Sequence, residues 1–198
     1  MMNLDDYYLH ATGGYLGMDN EYNVIIEILK SGKILTPESR NQRSLTLSYD
    51  NEICLCDPRK NTEKIEYSSF VLYPMCGPTL VLDRKIDVYT PDFNEDYTKG
   101  STDLYDEVRC KGDISLSHLK FITFPIFDSL TKTPTKNTAI SSSTKLGYLN
   151  IFEENIRRIE NDFSFVPVKD IYTGKTITAG EVRQKLKTLV NDFIKEPK

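Results

Sequence analysis

The sequence predicts an α+β domain built on a mostly antiparallel sheet, with flanking helices and a helical extension at the carboxyl end. Three observations carry this. Short strand-like runs are separated by turn residues, as at Tyr67 to Tyr73 and Pro78 to Asp83 around Gly77. One early helical stretch, Val24 to Ser31, is stopped by Gly32, and Pro37 blocks its continuation. Two further helical stretches, about Tyr148 to Asn161 and Ala179 to Lys195, follow a segment rich in Thr, Ser and Lys.

The elements follow in order. Tyr7-Tyr8-Leu9-His10-Ala11-Thr12 reads as an apolar strand that ends on one of only two histidines and runs through Gly13 and Gly14 toward the helix. After the helix, Ser39 to Arg43 is a polar loop with two arginines, followed by alternating Leu45, Leu47 and Tyr49. Ile53-Cys54-Leu55-Cys56 is a short strand ended by Asp57-Pro58. The two runs around Gly77 are spaced as an antiparallel pair. Thr90 to Thr102 has no periodicity and reads as an exposed loop, a place where binding residues often sit. It leads into Leu104-Tyr105-Asp106-Glu107-Val108-Arg109, a strand with acids in its middle. Gly112 to Ser115 turns into a short helix-like piece carrying His118, and Phe121 to Pro125 reads as the last clear strand of the core. The helix from Ala179 places Val182, Leu186, Leu189, Val190 and Phe193 on one stripe, which needs a surface to cover. The expected division is residues 1–128 as the main domain, 129–146 as linker, and 147–198 as a helical extension packed back on the core.

Composition narrows the function. A formal charge of −4 over 198 residues argues against a broad basic surface that wraps nucleic acid. A small patch from Lys30, Lys33, Arg40 and Arg43 stays open. The cysteines at 54, 56, 76 and 110 lack Cys-x-x-Cys spacing and read as reduced thiols in strand-like sequence. No apolar run is long enough for a bilayer, and Asp5 and Asp6 stand where a secretory signal would be basic. A cytoplasmic protein without membrane contact is expected.

Taken neutrally, His10 and Glu107 are one imidazole and one carboxylate on different strands: an acid/base pair, half a metal site, or neither. If their strands lie in one sheet, the two can line one cleft. A metal needs more ligands than these segments supply, so none is expected. No Gly-x-Ser-x-Gly elbow and no phosphate-binding Gly-x-x-x-x-Gly-Lys-Ser/Thr loop is present. Gly13-Gly14-Tyr15-Leu16-Gly17 is a poor match to a dinucleotide-binding fingerprint, because no doubly wound pattern surrounds it.

The order of motifs is distinctive. His-x-Thr ends the first strand, the helix ends in Ile-Leu-x-Ser-Gly-x-Ile-Leu, and a late Asp-Glu-Val strand is followed by Gly-Asp-Ile. Over about residues 6 to 126 this resembles the ADP-ribosyltransferase superfamily. The resemblance implies a split, mostly antiparallel sheet, with NAD as co-substrate and mono-ADP-ribosyl transfer to a macromolecular acceptor, protein or nucleic acid, with release of nicotinamide. It implies that His10, Ala11 and Thr12 hold NAD and that Glu107 is catalytic. Breaking the bond between nicotinamide and ribose builds positive charge on the sugar, which a carboxylate beside the ribose stabilises. Tyr67 is the candidate to stack on nicotinamide, Arg40 to reach the pyrophosphate, and Tyr105 to meet the acceptor. Tyr105 stands where arginine-modifying members carry Glu or Gln, which weighs against a protein-arginine acceptor.

The middle strand departs from the family. Cys54-Leu55-Cys56 replaces the usual Ser-Thr-Ser or Tyr. Two rivals therefore stand beside the transferase: a catalytically silent binding module of the same fold, and an NAD-using transferase that removes a terminal phosphate from RNA. A toxin or effector delivered to a host cytosol would carry the same motifs.

Overall fold

A computed structural model describes residues 2–11, 22–40, 51–60, 78–90, 107–126 and 142–195. Its strands in chain order are β1 (Tyr7–Ala11), β2 (Lys33–Ile34), β3 (Glu52–Cys56), β4 (Thr79–Asp83), β5 (Glu107–Lys111), β6 (Ile114–Ser115), β7 (Leu119–Phe124) and β8 (Val168–Asp170). The helices are α1 (Tyr22–Ser31), α2 (Ser142–Asp162) and α3 (Ala179–Lys195). Six strands form one sheet in the order β5-β3-β1-β4-β7-β8, and β2 pairs with β6 apart from it. Every neighbouring pair is antiparallel except β7 and β8. The class is therefore α+β with a mostly antiparallel sheet, as the sequence predicts.

Alternation along the strands divides the sheet into two faces. One face presents Tyr8, Leu55, Leu80, Leu82, Val108 and Ile122 to the helices. The other presents Leu9, Cys56, Val81 and Phe121 to Leu4 and Ile171. The helices supply matching stripes. In α1, Ile25, Ile28 and Leu29 recur at helical spacing and are buried. In α2, Leu149, Phe152, Ile156 and Ile159 form one fully buried row, and the Phe152 ring meets Phe124 of β7 edge to face at 5.4 Å between centroids.

Local chemistry sets the helix ends. Gly32 adopts φ 72°, a conformation that costs glycine little, and its N–H donates to the Ile28 carbonyl at 3.1 Å. Thr178 and Glu181 form a reciprocal capping box at the start of α3: the Thr178 N–H donates to Glu181 Oε2 at 2.7 Å, and the Glu181 N–H donates to Thr178 Oγ1 at 3.2 Å.

The structure revises two expectations. Phe121 to Pro125 is not the last strand, because β8 follows and joins the same sheet. Three residues are too few to show a periodicity. The carboxyl-terminal region is thus not purely helical, and it continues the main sheet. Helix α2 begins at Ser142, inside the stretch read as linker, because the row from Leu149 onward gives its first turns a packed helix to extend from. Strand β5 runs over Glu107–Lys111, and residues 104–106 of the expected Glu107 strand lie outside the described residues. The runs at 45–49 and 67–73 lie outside the described residues, as do 91–106 of the expected loop and strand. Among the described residues no helix is long and apolar enough to cross a membrane.

Candidate active site

The sheet order sets the strands of Glu107 and His10 on either side of β3. Register then decides where their side chains go. Cys56 lies opposite Leu9 on one side and opposite Glu107 on the other. Directly opposed residues share a face, so Leu9, Cys56 and Glu107 point the same way. His10, one residue on from Leu9 and opposite Leu80, points to the helix face. The single cleft expected to hold both side chains is not what the described residues form.

His10 lies in a groove of about 510 Å³ between α1, the segment 33–40 and the amino-terminal half of β3. Lys33, Arg40, Glu52 and Cys54 contribute to its walls. This size falls within the roughly 300–1,000 Å³ of ligand clefts. The groove exists because β1 and β3 pair only at Leu9 and Cys56 among the described residues. Beyond that pair His10 Nδ1 sits 3.1 Å from the Cys54 carbonyl. A carbonyl only accepts, so Nδ1 carries the proton and Nε2 is the acceptor nitrogen. Burial pushes the imidazole below its ordinary range, the Cys54 carbonyl opposes this, and the Arg40 cation adds to it. The ring is therefore neutral at pH 7, suited to hydrogen-bonding a hydroxyl and not to pairing with an anion.

Glu107 belongs to a polar cluster on the other face. Its Oε1 accepts from Arg109 Nε at 2.8 Å, and Arg109 Nη1 reaches Glu52 Oε2 at 3.4 Å. The Tyr89 hydroxyl donates to Glu52 Oε1. Glu107 is 7% exposed and Arg109 1%, a burial that charged side chains tolerate only when paired. Cys54 adjoins this cluster. It is exposed along its strand, yet crowding around the thiol and the neighbouring Glu107 carboxylate push it up to about 12. It is a neutral thiol at physiological pH, and not a nucleophile.

Of the remaining expected site residues, Ala11 ends β1 beside His10, and Arg40 lies in the His10 groove. Thr12, Tyr67 and Tyr105 lie outside the described residues, as do Arg43 and Cys76. Lys30 pairs with Glu27 on α1 at 3.0 Å. His118 sits in a short 3-10 turn, in the helix-like piece the sequence predicts, with Nδ1 2.9 Å from Asp83 Oδ1. Among the described residues no three His, Cys, Asp or Glu side chains gather as metal ligands.

Sequence reading missed Glu52, Tyr89 and Arg109. A signal was present: Glu52-x-Cys54 and Glu107-x-Arg109 each repeat polar residues at a spacing of two, which places them on one face of neighbouring strands. No protein-family model and no curated protein matches this sequence.

Proposed function

We propose that the chain is an NAD-dependent mono-ADP-ribosyltransferase, with the His10 groove as the dinucleotide site and Glu107 as the catalytic carboxylate. The observation that carries this reading is the strand order: β5 with Glu107, β3 with the altered middle motif, and β1 with His10 lie side by side. This order brings three short motifs, far apart in sequence, onto adjacent strands, with the His10 and Glu107 side chains on opposite faces. His10 Nε2 accepts from a ribose hydroxyl, and Arg40 supplies a guanidinium for phosphate oxygens. The groove wall includes Glu52 and Cys54, which belong to the strand paired with Glu107's strand, and in this reading the ligand extends along them toward Glu107. There the glycosidic bond breaks with its electron pair leaving on nicotinamide. The acceptor's attacking atom supplies a new pair to the ribose carbon and loses its proton, while Glu107 stabilises the cationic sugar between the two events.

A second reading, a binding module of this type without transfer, is favoured by the Arg109 contact that occupies Glu107. Calorimetry with NAD, together with nicotinamide release, separates the two. The transferase reading expects binding and turnover in the wild type, binding weakened about tenfold in His10→Ala, and binding without turnover in Glu107→Gln. Binding without any wild-type turnover supports the second reading. Absence of binding overturns both.

A further inference from the structure

We infer that Arg109 is the positioning residue for the Glu107 carboxylate, a role that rests on the transferase reading. The guanidinium is held from several sides. Its Nε donates to Glu107, its Nη1 faces Glu52, and Glu52 is fixed in turn by the Tyr89 hydroxyl. The backbone is tied as well: Arg109 N–H donates to the Tyr89 carbonyl and Tyr89 N–H to the Arg109 carbonyl, each at 2.9 Å. A planar guanidinium anchored at one nitrogen has a fixed direction for its other N–H bonds. Anchoring Nη1 therefore aims Nε–H, and with it the carboxylate that accepts from Nε.

Stability alone does not account for the arrangement. Replacing a buried ion pair by apolar side chains of similar volume is often neutral or stabilising. What the cluster provides is orientation: Glu52 and the Tyr89 backbone hold Arg109, and Arg109 in turn holds the carboxylate.

The test is steady-state NAD hydrolysis by the full chain, comparing wild type with Arg109→Met, Arg109→Lys and Glu52→Gln, with thermal melts to check folding. A positioning role acts on the transition state and not on NAD binding. Arg109→Met is expected to lower kcat about 100-fold with KM for NAD within about threefold. Arg109→Lys recovers part of that loss, and Glu52→Gln lowers kcat about tenfold through loss of the anchor. Should Arg109→Met fail to fold, Glu52→Gln and Arg109→Lys decide the matter. A folded variant set with kcat within about twofold of wild type, or one altered in KM alone, overturns the positioning role and leaves the transferase reading standing. Wild-type protein without turnover overturns the transferase reading, and the positioning role falls with it.

Discussion

Phe152→Ala tests whether the carboxyl-terminal helices and the sheet share one core. Phe152 is fully buried on α2, against Phe124 of β7, in the same apolar cluster as Ile25 of α1 and Val182 of α3. Removing a buried phenylalanine ring costs about 3–5 kcal/mol through lost transfer energy and the cavity left behind. The edge-to-face pair accounts for about 0.5–1.5 kcal/mol beyond buried area. With three elements locked around the ring, the cavity has little room to collapse, so the cost should lie near the upper half of that range. Against a total stability of about 5–15 kcal/mol, such a loss is large. Urea unfolding followed by far-ultraviolet circular dichroism and tyrosine fluorescence should show one transition in both proteins, with the midpoint lowered and the slope unchanged. A cost below about 1.5 kcal/mol, or two separate transitions in the wild type, would refute the shared core.

Three further outcomes are expected. Thr178→Ala removes the capping box of α3 and should cost about 1 kcal/mol by denaturation, whereas no change in midpoint would deny the cap any role. Burial alone would raise Asp57, but hydrogen bonds from Arg84 and Arg59 outweigh it and bring the carboxyl down to about 2. Because the folded value lies below the unfolded one, the stabilisation is present above about pH 4 and is lost as pH falls through about 2. With Arg59 half exposed and screened by solvent, this amounts to about 1 kcal/mol. The stability gap between wild type and Asp57→Asn should therefore shrink as pH falls from about 4 and close below about 2, and a gap undiminished at pH 2 would contradict it. A Cys54 thiol at about 12 should react with iodoacetamide at pH 8 at least about 100-fold more slowly than a free thiol, and faster in Glu107→Gln. Mass-spectrometric mapping of the alkylated site checks both, and an ordinary rate at Cys54 would be inconsistent with its surroundings.

Much of the fold is legible in local sequence. Gly32 marks the end of α1 because the conformation there favours glycine, and Val182 and Leu186 mark the buried side of α3 because the helical period exposes it. Ile53 to Cys56 and Thr79 to Asp83 are recognisable from apolar runs bounded by turn residues. What local sequence does not hold is pairing. Nothing in Val168-Lys169-Asp170 announces a strand, since its partner Ile122 to Phe124 is more than forty residues away. The candidate site follows the same division. The strands that carry His10 and Glu107 could be read directly, but the face each side chain takes could not, because a register shift of one residue turns a strand's side chains over. Arg109 was hidden for a related reason. An arginine two residues after a glutamate looks like a solvated charge until β3 and the Tyr89 segment are seen to cover it.

The most direct measurement is release of nicotinamide from NAD by purified wild-type protein and by Glu107→Gln, followed by chromatography over the same period. The account predicts steady release by the wild type and none above background by Glu107→Gln, with both proteins melting alike. Equal release by the two proteins would contradict the place given to Glu107, and no release by the wild type would contradict the transferase itself.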